Sequence, residues 1–329
     1  MEITFFHWAY GDDSSIKRSF MPLIRELRKG YVVYEYSVPY IGSNPIHVVK
    51  NILFVYRKRS GNGVNHITGD IHYCIIGLLG VKSVLTIHDD FAFTTAKKGV
   101  FDRLYKWIFW LYLPIKLANK VLCISPTTKE AIDGLVKNNK TEVFPQHSLS
   151  ENYTYSEDRK MKSSSIILQV GTLPQKNLET TLKALRNSTY ELHVIRKMTC
   201  QQMQLAKELN VHVCNKYDLS DEQIVDEYKK ADILVLPSLQ EGFGMPIIEA
   251  QAVGCPVITS NRCPMSWVAD EGALLLNDPL DEYELKACIE KVLYNLDFRN
   301  YLVQSGLRNI ERFTLKNVVD RFIKLYQSL

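Results

Sequence analysis

The 329-residue sequence lacks the patterns that mark several classes of protein. No apolar stretch reaches the roughly 18 residues of a membrane-spanning helix. No signal peptide is expected, because Met1–Phe6 is typical of a first strand. There is no internal repeat, no low-complexity tract and no nucleic-acid-binding module, so no nucleic acid partner is predicted. With 46% hydrophobic and 23% charged residues, the composition is that of a globular protein long enough for two domains.

Three further absences concern chemistry. The seven cysteines form no CxxC pair and no Cys/His cluster at metal spacing, so we expect buried free thiols in a reducing cytoplasm and no metal. No G-x4-G-K-[ST] is present, which excludes a Walker A site. Phe6–Gly11 after the first strand is not G-x-G-x-x-G, which argues against a nicotinamide dehydrogenase.

Charge is unevenly distributed along the chain. Residues 1–150 carry 19 Lys+Arg and 12 Asp+Glu, a net charge of +7, whereas the remainder carries 21 and 24, a net of −3. A basic N-terminal half can face anionic lipid or a phosphorylated acceptor. It is equally consistent with solvated surface charge.

Apolar runs alternate with amphipathic stretches, which predicts an α/β protein with two doubly wound parallel sheets facing a cleft. The domains are predicted at 1–155 and 156–329, joined by the polar segment Ser148–Ser165. Helices are predicted at Ser15–Lys29, Ile71–Leu79, Phe101–Ala118, Thr127–Lys137, Leu178–Leu185, Glu282–Tyr294 and Leu315–Gln327. Strands are predicted at Ile3–His7, Val32–Tyr36, Val64–Ile67, Ser83–Ile87, Lys120–Ile124, Ile166–Val170, Leu192–Ile195, Val211–Cys214, Ile233–Leu236 and Val257–Thr259.

The most informative segment is Pro237–Ala250. It joins a buried strand, Ile233–Leu236, to a helix that Gly254 is placed to end. The loop between them presents backbone N–H groups and a helix N-terminus, which suit phosphate. Glu241 and Glu249 flank it, and carboxylates suit hydroxyl groups. A nucleotide sugar carries both phosphates and hydroxyls.

A second loop, Gly171–Asn177, also lies between a predicted strand and a predicted helix. Its glycine and Lys176 are typical of a phosphate cradle, in which amides give direction and the ammonium group supplies charge.

These segments resemble the retaining glycosyltransferases of family 4, which have the GT-B fold. The Glu241-x7-Glu249 spacing carries the resemblance, together with Ala231–Ser238, Gly254–Ser260 and Gly272–Pro279. The similarity is dense from about Ile166 to the C-terminus. It implies a hexosyltransferase that uses a nucleotide-diphosphate sugar, with no cofactor and no metal, and a last helix that crosses back to the N-terminal domain.

The resemblance also implies site residues. Glu241 would hold the hexose, Glu249 the ribose and Lys176 the diphosphate, and His88 after the strand Ser83–Ile87 would contact the transferred sugar. Thr172 stands where the family often has arginine, so Arg196 and Lys197 are candidates to replace that cation. Catalytic roles are expected for His88, Glu241 and Lys176, and donor binding for Gly171, Thr172, Lys176, Arg196, Lys197, Tyr217, Glu241, Gly242, Phe243, Gly244, Met245 and Glu249. Phe243 is predicted to pack rather than to stack on the base.

Acceptor contacts are less clearly marked. The family has a glycine-rich loop near Gly11, but here two aspartates follow it and would repel phosphate, so acceptor or capping roles are as consistent. Asp70 and His72 follow a strand, and Asp70 fits either an N-cap or an acceptor contact.

The segment Trp107–Leu113 is aromatic with basic flanks, which suits either a membrane surface or a buried helix. The expected partners are a nucleotide-diphosphate sugar and a glycan or lipid-linked acceptor, in the cytoplasm or peripherally at the inner face of the cell membrane, in surface-polysaccharide synthesis. The alternatives are an inactive GT-B binding protein, or a GT-B phosphorylase or epimerase.

Overall fold

The computed structural model describes residues 1–8, 15–88, 99–145, 149–150, 152–155 and 165–329. The chain forms two compact units: Met1–Ser148 with Leu315–Leu329, and Leu149–Thr314. The first boundary therefore falls earlier than residue 155. The last helix, which lies beyond the second unit in sequence, belongs to the first unit.

The first unit is built on a six-stranded parallel sheet. Its strands follow the order β2-β1-β3-β4-β5-β6. The central strands β3 and β4 are buried along their whole length, as expected where helices cover both faces of a parallel sheet. The strands are Glu2–His7 (β1), Val32–Ser37 (β2), Val64–Ile67 (β3), Ser83–Ile87 (β4), Lys120–Cys123 (β5) and Thr141–Val143 (β6).

The helices of this unit begin at recognisable caps. Asn44 Oδ1 accepts from Ile46 N at 2.9 Å, and Ser125 Oγ accepts from Thr128 N at 3.2 Å, with proline in the first turn of each helix. The predicted helix at Ile71–Leu79 is a 3₁₀-helix, His72–Leu78. The α-helices are Ser15–Leu27 (α1), Pro45–Lys58 (α2), Val100–Lys106 (α3), Leu113–Leu117 (α4), Pro126–Leu135 (α5) and Leu315–Gln327 (α13), with a π-helical turn at Trp107–Tyr112.

The C-terminal helix α13 packs into the core of the first unit. Phe322 and Tyr326 are fully or almost fully buried. The Tyr326 hydroxyl lies 2.7 Å from Nδ1 of His66 on β3. Burial holds the pKa of His66 well below its usual range, so its imidazole is neutral.

The aromatic segment Trp107–Leu113 contributes to the same unit. Trp110 and Leu111 are buried, and Trp110 Nε1 donates to the Asp70 carbonyl at 3.2 Å. Its ring lies 4.6 Å from that of Tyr73. The core interpretation is therefore confirmed for Trp110, and the membrane interpretation of that side chain is wrong. Among the described helices, none is both long and apolar enough to cross a bilayer.

The second unit also contains a six-stranded parallel sheet, in the order β12-β11-β10-β7-β8-β9. If the six strands of this unit are numbered from its first strand, the order is 6-5-4-1-2-3, which is the doubly wound order of dinucleotide-binding domains. The order reverses between β7 and β10. The strands are Ile166–Val170 (β7), Glu191–Ile195 (β8), His212–Lys216 (β9), Ile233–Leu236 (β10), Val257–Ser260 (β11) and Ala273–Leu276 (β12). The two sheets confirm the predicted α/β fold class.

The helices of the second unit follow the strands in alternation, and Gly254 (φ +70°) lies just beyond the end of α9, as predicted. They are Leu178–Ala184 (α6), Cys200–Glu208 (α7), Asp221–Lys230 (α8), Met245–Ala252 (α9), Met265–Ala269 (α10), Glu282–Tyr294 (α11) and Leu296–Asn309 (α12), with 3₁₀ turns at Pro174–Lys176, Asp270–Gly272 and Ile310–Phe313.

The cysteines are all free but not all buried. Cys74, Cys123 and Cys255 are buried, whereas Cys200 and Cys263 are exposed. The prediction of buried thiols is therefore wrong for the last two.

Candidate functional site

Two loops begin where the order of the second sheet reverses. Gly171–Asn177 follows β7 and Pro237–Gly244 follows β10, and these strands are neighbours. In doubly wound sheets this switch point opens a crevice beyond the carboxyl ends of the strands. The two loops singled out from sequence therefore lie side by side.

Lys176 and Glu241 form the centre of this site. Lys176 Nζ lies 2.6 Å from Oε1 and 2.8 Å from Oε2 of Glu241, so the ammonium group donates to both oxygens. The side chains are 17% and 9% exposed, which leaves the pair within reach of a ligand. The sequence assigned these residues to diphosphate and hexose, and the structure joins them directly.

Hydrogen bonds hold the two loops around the Lys176–Glu241 pair in place. Leu239 N donates to the Gln175 carbonyl at 2.8 Å, which links the two loops. Ser238 Oγ donates to Glu241 Oε1 at 2.7 Å. Gly171 has φ +103°, and a Cβ there would stand 2.8 Å from Lys176 Cγ, so glycine lets the lysine side chain cross the loop.

The helix α9 begins at the same place. Gly244, at φ +108°, precedes its first residue, Met245, and Gly242 in the preceding turn is exposed. Phe243 is 4% exposed, and its ring lies 5.7 Å from that of Phe313. The prediction that Phe243 packs rather than stacks on a ligand agrees with this burial.

Glu249, one turn further along α9, is held by tyrosines. The Tyr228 hydroxyl donates to Glu249 Oε2 at 2.6 Å, and Tyr153 makes a further hydrogen bond. Burial raises the pKa of Glu249, while both hydrogen bonds favour its charged form. A raised pKa at a buried carboxyl group is a common mark of a functional residue.

Neither tyrosine was predicted from the sequence. Tyr228 lies on the amphipathic helix α8, where an aromatic residue at helical spacing is indistinguishable from core. Tyr153 lies in the segment predicted as a linker, where low hydrophobicity masked it.

The residues proposed to replace the missing arginine lie next to the first loop. Thr172 Oγ1 donates to the Lys197 carbonyl at 2.9 Å. Arg196 adopts φ +99°, which is rare for a residue with a side chain, and both Arg196 and Lys197 are exposed. Lys197 Nζ lies 5.8 Å from the ring centre of Tyr217, which is half exposed. The structure thus groups two cations and an aromatic ring beside Thr172.

In the first unit, His88 follows β4 and donates from Nε2 to the Thr68 carbonyl at 2.8 Å. Burial lowers its pKa to about 4, although the bond to Thr68 opposes this shift and nearby His72 adds to it. The imidazole is therefore neutral at physiological pH, with Nδ1 as an acceptor.

The remaining candidates for acceptor contacts are His72, Asp70 and Gly11. His72 is buried, and its Nδ1 donates to the Trp110 carbonyl at 2.9 Å. Ile71, not Asp70, precedes the 3₁₀-helix, and no side chain caps it, so the capping prediction for Asp70 is wrong. Gly11 lies outside the described residues.

Residues 155–308 match the family described as glycosyl transferases group 1. This stretch, a little less than half of the chain, is similar to that family. The resemblance to retaining GT-B enzymes, drawn from Glu241 and Glu249, is thereby confirmed.

Relatives and solved structures agree with this assignment. The O-antigen chain mannosyltransferase RfbU of Salmonella typhimurium is 28% identical over 242 residues, which cover 70% of this chain and 67% of that protein. O-antigen chain mannosyltransferase B of Escherichia coli is 33% identical over 109 residues, covering 33% of this chain and 28% of that protein. The crystal structure of Anabaena HepE in complex with UDP covers 100% of both chains, with a TM-score of 0.76 and 14% identity, and supports the GT-B fold.

Proposed function

We propose that this protein is a retaining glycosyltransferase that transfers a hexosyl unit from a nucleotide-diphosphate sugar to a glycan or lipid-linked acceptor in surface-polysaccharide synthesis. The observation that carries the proposal is the Lys176–Glu241 pair at the switch point of the second unit. Two mannosyltransferases of O-antigen synthesis among its relatives, and UDP bound to a protein of the same fold, support it.

The pair suits the junction between diphosphate and sugar. A cation and a carboxylate in contact present a donor for phosphate oxygens and an acceptor for sugar hydroxyls within a few ångströms of each other. As the glycosidic bond breaks, negative charge grows on the leaving diphosphate. Lys176 and the amides of Gly242–Gly244 would stabilise that charge, which is the largest catalytic contribution we assign to this chain.

Glu249 is proposed to accept hydrogen bonds from the ribose hydroxyls. Tyr228 and Tyr153 fix its position by donating to it. Arg196 and Lys197 supply further positive charge near Thr172, where the family often has arginine. The exposed ring of Tyr217 is proposed to lie near the base.

His88 is proposed to contact the transferred sugar as a neutral imidazole. Its Nε2–H is occupied by the Thr68 carbonyl, so Nδ1 is the atom that would accept a sugar hydroxyl. Asp70, half-buried one strand away, is proposed as an acceptor contact.

Transfer is proposed to need no divalent cation, because Lys176 and the loop amides serve the diphosphate. Turnover should therefore persist in EDTA and without added Mg²⁺ or Mn²⁺. An enzyme that loses activity in EDTA and regains it with either ion would contradict this account of the leaving group.

We also propose peripheral contact with an anionic membrane, at the cytoplasmic face where lipid-linked acceptors are held. Helix α2 supports it, because its apolar residues Ile46, Val49, Leu53 and Tyr56 are exposed at helical spacing. Lys50, Arg57 and Lys58 lie on the same helix. Apolar residues with basic neighbours bind bilayer interfaces.

The transfer reaction is tested with a panel of nucleotide sugars and a glycolipid acceptor fraction. We expect one donor to release its nucleoside diphosphate and to give a product with the anomeric configuration of the donor, as judged by NMR. Glu241→Gln should lower kcat while leaving nucleoside diphosphate binding nearly unchanged. Inversion of configuration, or undiminished turnover by Glu241→Gln, would refute the proposal.

A further inference from the structure

A group of side chains that can ligate metal lies on the second sheet, apart from the loops described above. Glu191 and His193 belong to β8 and Cys214 to β9. One ligand atom from each lies within 4.8 Å of the others. Glu191 is the first residue of β8, and His193 and Cys214 are the middle residues of their strands, whereas the candidate donor loops follow carboxyl ends.

The register of the strands brings them together. His193 is paired with Cys214, and Glu191 with His212. Because side chains alternate between faces along a strand, these four residues share one face of the sheet. Spacing along the chain could not show this, since the residues come from two strands, and the sequence accordingly predicted no metal.

His193 lies between two carboxylates. Its Nδ1 is 2.6 Å from Glu227 Oε2, and its Nε2 is 3.2 Å from Glu191 Oε1. With Nδ1 donating to Glu227, the lone pair of Nε2 and the nearby Glu191 oxygen are placed to ligate one cation.

Glu227 is suited to orient such a ligand. It is buried on α8, and Lys216 Nζ lies 2.7 Å from its Oε1. A carboxylate on the far nitrogen of a ligating histidine is the usual outer partner of a protein-bound metal.

We propose that Glu191, His193 and Cys214 form a Zn²⁺ site, with Glu227 as the outer partner of His193. Two ligands on a tetrahedral zinc ion are about 3.4 Å apart when each bond is about 2.1 Å. The Nε2 to Oε1 distance of 3.2 Å already matches. A thiolate with an imidazole and a carboxylate favours zinc over Mg²⁺ or Ca²⁺.

A cavity borders Glu191, one of the three proposed ligands. This cavity, of about 470 Å³, is lined by Thr189, Glu191, His212 and Val213. Solvent reaches the site, since the Glu191 side chain is 43% exposed. His212, the strand partner of Glu191, lines the same cavity. The ion would link the edge strand β9 to β8 and so stabilise the second unit. This role does not depend on which sugar the protein transfers.

The test uses the full chain, stripped of metal under reducing conditions and titrated with Co²⁺ and Zn²⁺. We expect one equivalent of Co²⁺ to produce thiolate-to-cobalt charge-transfer absorption. Cys214→Ser should abolish that absorption, whereas Cys200→Ser, which alters an exposed thiol, should keep it. Zn²⁺ should raise Tm, and Glu227→Gln should weaken zinc binding by about 10- to 100-fold.

The absence of the charge-transfer absorption in the wild type, or its persistence in Cys214→Ser, would overturn the proposal. Circular dichroism of the metal-free variants verifies folding. Should Cys214→Ser not fold, Glu191→Gln replaces it, because Glu191 is partly exposed and is the mildest ligand change. Unaltered zinc affinity in that variant would also overturn the site.

Discussion

At the scale of single residues, the second unit contains two well-held glutamates whose pKa values move in opposite directions. That of Glu249 is raised, chiefly by burial. That of Glu227 is lowered, because hydrogen bonds and charges from Lys216 and His193 outweigh burial. A buried group whose charged form the fold disfavours is a candidate functional residue.

The first prediction follows from that contrast. The pKa of Glu249 lies above its ordinary value of 4.5, so its contribution to stability is lost as pH rises through the raised pKa. At neutral pH, Glu249→Gln should therefore raise the free energy of unfolding. For Glu227 the contribution is present above 4.5 and lost as pH falls, so Glu227→Gln should lower that free energy.

Urea denaturation of the metal-free protein at neutral pH measures both effects. The two variants are matched controls for each other, since each replaces a carboxylate by an amide of the same shape. A decrease in both would show that Glu249 is simply a structural hydrogen-bonding partner of Tyr228.

The second prediction concerns His88. Burial lowers its pKa from 6.5 to about 4, so the folded protein binds fewer protons than the unfolded chain between these values. Its contribution to stability is then present above pH 6.5 and lost as pH falls toward 4. His88→Gln, whose amide can still donate to the Thr68 carbonyl, should reduce this loss of unfolding free energy at acid pH. The same variant should have a lower kcat.

Unfolding free energies across that pH range, with kcat at neutral pH, test both parts. Near wild-type kcat in His88→Gln and in His88→Ala would make His88 structural. If the free energy of unfolding of His88→Gln falls at acid pH as steeply as that of the wild type, the assignment of a neutral, buried imidazole is wrong.

At the scale of elements, the third prediction concerns the loop after β7. Gly171→Ala places a residue with a Cβ at φ +103°, which costs about 1–2 kcal/mol, and sets the Cβ against the Lys176 side chain. Nucleotide affinity should fall because Lys176 must move. Gly80→Ala in the first unit is the control, since it has φ +80° and nothing within 4 Å.

Thermal unfolding and calorimetric titration with UDP and GDP compare the two variants. Both should lose stability, but only Gly171→Ala should lose nucleotide affinity. If both variants bind as tightly as the wild type, Lys176 does not position the diphosphate.

The elements were largely predictable where a single physical pattern determined them. Runs such as Ile233–Leu236 became buried strands, and Ser125 with Pro126 began a helix as expected. His72–Leu78 became a 3₁₀-helix instead of an α-helix. Its Ile71 cap offers no side-chain hydrogen bond, and its first residue, His72, is held by a hydrogen bond to the Trp110 carbonyl, which is distant in sequence.

The candidate site was predictable only in part. Lys176 and Glu241 each follow a strand and stand out by loop chemistry, whereas their direct contact depends on β7 lying beside β10. Tyr228 and the group of Glu191, His193 and Cys214 depend on packing between elements that are distant in sequence. Such contacts leave no local pattern.

At the scale of the whole molecule, the fourth prediction concerns the membrane. Ile46→Ser with Leu53→Ser removes two exposed apolar side chains from α2. Co-sedimentation with phosphatidylglycerol vesicles should decrease, while the fold is retained because neither residue is buried. Tyr283→Ser with Leu296→Ser, exposed on the second unit, is the matched control and should bind as the wild type does.

Salt separates the two contributions to this binding. Attraction between basic residues and anionic lipid, about 1 kcal/mol per residue, weakens with salt, whereas apolar insertion persists. Equal vesicle binding by both double variants would show that α2 is not the contact surface.

Calorimetric titration of the protein with UDP, GDP, ADP, CDP and dTDP, in the absence of divalent ions, tests directly whether the second unit holds a nucleotide-sugar site. We expect at least one of these nucleotides to bind at a single site. Glu249→Ala should weaken that binding by about 1–3 kcal/mol, the contribution of charge-assisted hydrogen bonds. Glu208→Ala, an exposed glutamate on α7, should leave it unchanged. Failure of all five to bind, or equal affinity in Glu249→Ala and the wild type, would contradict a nucleotide-sugar site in the second unit.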